Sequence, residues 1–210
     1  YMLSNTMVYP KEVVKLPDNI GQLIIEGYAY CGNEDVFNDI INKAFEKNIT
    51  IGFALSAVSI ALDKRDQILK LIEEEKIKEI YCNSEELFAL MYGHKKYAKT
   101  GLEETTEQRQ STETIKLIDL QKFAKDNKVN ILETMGDKGA RFVNDSGIIT
   151  EVAAKTFSGD TPPNTLGAGD TFLAGFLSGR TQGLDIFECL RLGASAAAEV
   201  LKVKTATIDK

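Results

Sequence analysis

The sequence predicts an α/β fold, a mainly parallel sheet with helices on both faces in a three-layer αβα, Rossmann-like arrangement. Three observations carry this. Short apolar runs of strand length alternate with longer segments, as parallel strands joined by helical crossovers require. The longer segments place apolar residues at three- and four-residue spacing, so each presents one face to a core. Loops at Asn83, Thr134 and Gly167 each follow strand-like or sheet-adjacent segments, at the ends where sheets of this kind bind ligands. No internal repeat, low-complexity tract or linker divides the 210 residues, so one domain over 1–210 is expected.

The elements follow in order. Leu23-Ile24-Ile25 is a short buried strand, and residues 34–47 form a helix with Val36, Phe37, Ile40, Ile41 and Ala44 on one face. Residues 49–55 are a strand, 65–74 a helix, and 77–82 a strand that feeds a turn at Asn83. The acid run Glu73-Glu74-Glu75 is read as a solvated helix end. Residues 85–92 are helical, and Gly93 stops them. The polar stretch 95–112 has no core pattern and is placed on the surface. A helix over 114–127 precedes a strand ending at Thr134, and Gly147 turns a hairpin between Phe142-Val143 and Ile148-Ile149. Two helices, 168–180 and 185–200, close the chain.

Composition excludes several function classes. With 43% hydrophobic and 27% charged residues the usage is that of ordinary globular proteins, and the net charge of −6 argues against general nucleic-acid binding and against a basic membrane face. No apolar run approaches a membrane span, and no signal segment with a basic start is read. Cys31, Cys82 and Cys189 are odd in number and widely spaced, without zinc-ligand spacing. They read as free thiols in a reducing compartment, which makes a cytoplasmic location the expectation.

The most informative segment is Asn164-Thr165-Leu166-Gly167-Ala168-Gly169-Asp170. Gly167 and Gly169 allow consecutive amides to converge into a concave nest, and the helix that starts here adds its positive end and unpaired N–H donors. Asp170 then stands at the mouth of an anion site, placed to take a proton from a hydroxyl attacking a phosphoryl group. The other reading is a glycine-rich helix start with Asp170 as a first-turn capping acid. The dinucleotide fingerprint is disfavoured, because Phe172 stands where its third glycine belongs and a turn-rich loop, not a strand, precedes it. A Walker loop is absent for want of Gly-Lys-Ser or Gly-Lys-Thr.

Other segments carry weaker signals. Asn83-Ser84-Glu85-Glu86 fits a helix N-cap with first-turn acids. Thr134-Met135-Gly136-Asp137-Lys138-Gly139 fits a glycine turn between two strands. His94 suits a helix end or the surface, Lys138 suits a contact to phosphates or an exposed turn equally, and Ser56 and Asp63 are assigned no chemistry.

Four segments, in order, resemble the ribokinase-like (PfkB) family of sugar and nucleoside kinases. The run from Asn164 to Phe176 resembles its C-terminal signature. Asn83 to Glu86 resembles its Asn-x-x-Glu element, and Thr134 to Gly139 its Thr-x-Gly-x-x-Gly nucleotide element. Ile25-Glu26-Gly27-Tyr28 is similar to a segment of the adenosine-kinase-like branch. The resemblance implies transfer of the γ-phosphate of ATP to a primary hydroxyl of a sugar or nucleoside, with Asp170 as catalytic base and Gly167, Ala168 and Gly169 as anion hole. It implies nucleotide contacts from Asn83, Thr134, Gly136, Gly139 and Thr165, and Mg2+ organised by Glu86 through water, with Asn164 near it. A non-catalytic ligand-binding or regulatory relative is the alternative.

The chain also departs from the pattern. Asn164 stands where the family signature opens with Asp, which removes a negative charge beside the metal, and Pro162-Pro163 fixes the backbone just before it. The end of the chain lacks the glycine-alanine-arginine element that serves the adenine side. Members of the family run about half as long again, and the first residue is Tyr1, so the chain is expected to begin partway through the fold, without the first strands, the lid and the acceptor-holding acid. A homodimer through that lid is the assembly the resemblance allows for a full-length protein.

Overall fold

The computed structural model describes residues 16–17, 19–93, 115–155 and 165–202. Among them, six strands form one sheet: β1 (Gln22–Glu26), β2 (Thr50–Ala54), β3 (Glu79–Asn83), β4 (Asn130–Thr134), β5 (Ala140–Val143) and β6 (Ile149–Val152). Each strand pairs with its sequence neighbour. The first four run parallel, and β4, β5 and β6 form an antiparallel meander. The register sets Glu26 beside Ala54, and Asn83 beside Thr134. The carboxyl ends of β1 to β4 therefore share one sheet edge.

Helices cover both faces, as the apolar spacing predicts. On one face lie α2 (Glu34–Glu46), α3 (Val58–Asp63), α4 (Arg65–Glu73), α5 (Ser84–Tyr92) and α6 (Leu117–Asn127). Ile41, Ile68, Leu87 and Leu120 from these helices pack with Ile51, Phe53, Ile80 and Ile131 of the sheet in the larger core. The opposite face takes α7 (Ala168–Thr181) and α8 (Ile186–Val200). There Phe172, Phe176 and Leu190 meet Tyr81, Leu132 and Phe142. Period-two alternation sends Ile131 to one core and Leu132 to the other, so a strand buried on both faces reads as one apolar run.

Local chemistry fixes the helix ends near the site. Gly93, at φ 70°, ends α5, and the Arg65 guanidinium donates to the Leu90 carbonyl at 2.8 Å and the Met91 carbonyl at 3.0 Å, satisfying carbonyls that the last turn leaves unpaired. Asp185 caps α8 by accepting from the Glu188 amide at 2.9 Å. The α7–α8 pair packs backbone to backbone. A Cβ on Gly175 would come within 2.9 Å of the Leu192 carbonyl, and one on Gly193 within 2.8 Å of the Phe172 carbonyl.

Several expectations are refined. Two short helices were not legible: α1 (Gly27–Tyr30), capped by the Glu26 carboxylate, and α3, which buries only Ile60 and Ala61 and so shows too little periodicity to register. The turn after Thr134 is a short 3-10 segment, Gly136–Lys138. Two of the three acids at the end of α4 are paired as well as solvated. Glu74 meets Lys76 at 2.7 Å, and Glu75 meets Lys78 at 2.8 Å and Lys128 at 2.6 Å. The two lysines hold the Glu75 carboxyl down at about 2, though pairs this exposed contribute little to stability. The 95–112 stretch and His94 lie outside the described residues. No helix among those described is long and apolar enough to cross a membrane.

Candidate active site

A cleft of about 220 Å³ opens between the first turn of α7 and the carboxyl ends of β1 to β4. Its floor is apolar, from Ile24, Ala54, Tyr81, Leu132 and Phe172. Its rim is polar: Glu26, Ser56, Asn83, Glu86, Thr134 and Asp170. Five residues singled out from three separate motifs thus share one cavity: Asn83, Glu86, Thr134, Gly169 and Asp170.

Gly167 is the N-cap of α7 and adopts φ 78°, a left-handed conformation that a glycine takes without penalty. The Gly167 carbonyl accepts from the Thr171 amide at 2.9 Å and from the Thr171 hydroxyl at 2.8 Å, which closes the first turn. Among the three anion-hole candidates, Ala168 donates its amide to the Thr165 carbonyl at 3.1 Å, whereas Gly169 faces the cleft. A Cβ on Gly169 would meet nothing within 4 Å, so a ligand can approach its backbone closely. Asp170 is exposed, lies in the first turn of α7, and its side chain makes no hydrogen bond among the described residues. The capping reading of Asp170 therefore has no bond behind it, and its carboxylate faces the cleft beside the positive end of the helix.

Asn83 and Glu86 do what the capping reading expects. The Asn83 side-chain oxygen accepts from the Glu86 amide at 2.9 Å, while Glu86 accepts from the Asn83 amide and from its side-chain NH2, both at 3.0 Å. This reciprocal box starts α5. Burial pushes the Glu86 carboxyl above its ordinary value despite the Asn83 amide, and the charges of Glu85 and Asp170 push the same way. A group so engaged, only 7% exposed, has little freedom to enter a metal's inner shell directly, but an oxygen rim of one amide and one carboxylate suits a cation that keeps its waters. Among the described residues no three acidic, His or Cys side chains are grouped to hold a metal ion by themselves.

The β4–β5 turn is closed by the Met135 amide on the Gly139 carbonyl at 2.8 Å. Its two glycines differ. Gly136, at φ 60°, has open space where a Cβ would stand, whereas a Cβ on Gly139, at φ 105°, would strike the Val152 carbonyl and come within 2.7 Å of the Ala154 amide. Gly139 has a packing job at the end of β6, and neither glycine lines the cleft. Thr165 is described but stands outside the cleft lining, and Asn164 lies outside the described residues.

Sequence reasoning gave no site role to two rim positions, Glu26, quoted only within the branch-like segment, and Ser56. Glu26 caps α1 by accepting from the Ala29 amide at 2.9 Å. Ser56 stands at φ 65°, accepts from the Gly27 amide at 3.0 Å and donates to the Ala54 carbonyl at 3.1 Å. A serine in the left-handed region gives no sequence signal, because only glycine or asparagine there would suggest it. Tyr81 was unmarked as well. Its ring lies over Gly52, where a Cβ would come within 2.5 Å of it, and its hydroxyl donates to the buried Glu79 carboxylate, which also accepts from Gln22 at 2.8 Å and pairs with Arg180 at 3.4 Å. Burial and the Glu79 charge push the Tyr81 hydroxyl far above its ordinary value, so it stays protonated.

Comparison with known proteins agrees with the fold. The fold resembles the adenosine kinase of Sinorhizobium meliloti (TM-score 0.70, 22% identity, 96% of this chain and 54% of that one). It also resembles a probable sugar kinase of Rhizobium etli (TM-score 0.69, 23% identity, 89% and 50%). A 72-residue stretch is 36% identical to a cytidine kinase of Thermococcus kodakarensis, covering 34% of this chain and 25% of that protein. The chain thus spans about half the length of the solved relatives, which are longer by more than the half again that the sequence led us to expect. The match that decides the matter runs over residues 10–210, and by it the chain belongs to the pfkB family of carbohydrate kinases.

Proposed function

We propose that the protein transfers the γ-phosphoryl group of ATP to a primary hydroxyl of a nucleoside or sugar, with a nucleoside of the adenosine type favoured. The observation that carries this is the position of Asp170, an exposed first-turn carboxylate with no capping bond, on the same small cleft as Asn83, Glu86 and Thr134. Asp170 accepts the acceptor's hydroxyl proton as the oxygen attacks. The start of α7 stabilises phosphate charge through backbone amides, chiefly that of Gly169 on the cleft, with Gly167 beside it and Ala168 contributing once its amide leaves the Thr165 carbonyl. Thr134, Gly136 and Thr165, with Gly139 shaping the turn, contact the nucleotide. Mg2+, when bound, would offset charge on the phosphates, and Asn83 and Glu86 would orient its waters. The nucleoside preference is supported by Glu26-Gly27-Tyr28, and by the names of relatives that are adenosine and cytidine kinases.

Asparagine in place of aspartate at 164 favours a second reading, a relative that binds the nucleotide and transfers phosphate poorly or not at all. One experiment separates the two. ADP release by the full-length protein is followed over a panel of nucleosides and sugars, for wild type and for Asp170→Asn, with ATP binding measured in parallel by calorimetry. Turnover on at least one acceptor, lowered about 10²- to 10⁴-fold in the variant with ATP binding retained, is the expected result. Turnover equal in both proteins would remove Asp170 from the mechanism, and ATP binding without turnover would select the second reading.

A further inference from the structure

Glu133 is 1% exposed, deep beneath the sheet edge that carries the site, and no step of the proposed reaction uses it. One of its carboxylate oxygens accepts from the Arg141 guanidinium at 2.6 Å and the other from the Ser84 hydroxyl at 2.6 Å. Arg141 is itself buried, on β5 directly across from Glu133. Ser84 is the first residue of α5, between Asn83 and the rest of the capping box. Glu133 is also the residue before Thr134, and its partner in β3 is Cys82, the residue before Asn83. A single carboxylate therefore joins the strand that leads into one candidate loop, the strand that leads out of it, and the first turn of the helix that begins at the other.

The parallel ladder brings the two strand ends together as far as Asn83 and Thr134, but the side chains of the two loops are otherwise weakly joined. The Thr134 hydroxyl reaches the Cys82 carbonyl only at 3.5 Å, a long contact, and no side-chain hydrogen bond between Asn83 or Glu86 and Thr134 is found among the described residues. Replacing a buried ion pair by apolar residues of similar volume is often neutral or stabilising, so stability alone gives little reason for a charge here. A carboxylate with both oxygens engaged fixes direction as well as distance, which apolar packing does less sharply.

We infer that Glu133, held by Arg141, is a positioning residue that sets the Asn83–Glu86 turn and the Thr134 loop at a fixed separation through Ser84, and so tunes how the site receives the metal–nucleotide complex. The inference rests on the reading of Asn83, Glu86 and Thr134 as the metal and phosphate side. It places in one functional unit two residues, Glu133 and Arg141, that touch no ligand.

The test uses three variants of the full-length protein. Ser84→Ala removes the link to α5 and leaves the ion pair intact, Ser84→Thr restores a hydroxyl, and Glu133→Leu combined with Arg141→Leu removes the pair without orphaning a charge. In Ser84→Ala and in the double variant, the Mg2+ concentration for half-maximal activity and the KM for ATP are expected to rise about 10-fold. The acceptor KM should stay unchanged and kcat should fall by no more than about threefold, while Ser84→Thr behaves as wild type. A fall in kcat that tracks the folded fraction, with both constants fixed, would overturn the inference. Hydrogen exchange supplies a readout independent of turnover. Amides of residues 84–87 and 135–139 should exchange about tenfold faster in Ser84→Ala while those of α7 and α8 do not change. Unaltered exchange in both loops would also overturn it. A wild-type protein inactive on every acceptor would count against the kinase reading alone, because the exchange result still decides whether Glu133 positions the loops.

Discussion

Asn83 and Glu86 hold each other through three hydrogen bonds, two of them ending on the Glu86 carboxylate, within a single turn at the carboxyl end of β3. The pair is at once the start of α5 and part of the cleft rim, so its structural and chemical roles occupy the same atoms. Asn83→Ala removes the cap and one of the two donors to the Glu86 carboxylate, and unfolding in urea should show a loss of about 1 kcal/mol, within the usual range for such caps. Asn83→Ser, which keeps an acceptor for the Glu86 amide, should lose less. Equal losses would mean that the cap bond is not what the residue contributes.

The buried Glu86 carboxyl makes stability depend on pH with a definite sign. Its folded value is raised above the ordinary 4.5, chiefly by burial, so between the two values the folded state binds more protons than the unfolded one. Its contribution is therefore complete below 4.5 and is lost as pH rises through the folded value. Urea midpoints should fall across that window in the wild-type protein and fall less steeply in Glu86→Gln. Parallel curves for the two proteins would assign the slope to other groups.

The two glycines of the β4–β5 turn should respond very differently to alanine. Gly136→Ala meets open space and bears only the left-handed backbone, at about 1–2 kcal/mol. Gly139→Ala adds a collision with the backbone at the end of β6, and should cost more than about 3 kcal/mol or abolish folding. Thermal melts of the two variants distinguish these outcomes directly.

Tyr81→Phe removes the hydroxyl that the buried Glu79 carboxylate accepts, and leaves Gln22 without one of its two acceptors. The aromatic wall of the cleft survives. A loss of about 1–3 kcal/mol in chemical denaturation is expected, the usual range for an unsatisfied buried polar group. A variant as stable as wild type would show that Gln22 and Arg180 suffice for Glu79.

The fold was largely legible because β2 to β4 are buried along their middles, which leaves uninterrupted runs, and α2 and α4 bury one face, which leaves clean three-four spacing in the sequence. The short helices α1 and α3 were not, since four to six residues bury too little to leave a period. At the site, Asp170, Asn83, Glu86 and Thr134 could be picked out because glycine turns and helix starts flag them locally. Ser56, Tyr81 and Glu133 could not, because their importance comes from partners 29, 59 and 49 residues away in sequence, Gly27, Gln22 and Ser84.

The sequential order of the strands has a consequence for how the cleft comes into being. Each strand docks on the one made just before it, so β1 to β6 can assemble in the order of synthesis with only local crossovers to close. The face formed by Ile24, Ala54, Tyr81 and Leu132 is then left bare until α7 arrives, and with it Asp170. A nascent chain halted before Ala168 would present that greasy surface to its surroundings. The helix that completes the site is also the cover that keeps the growing protein from sticking.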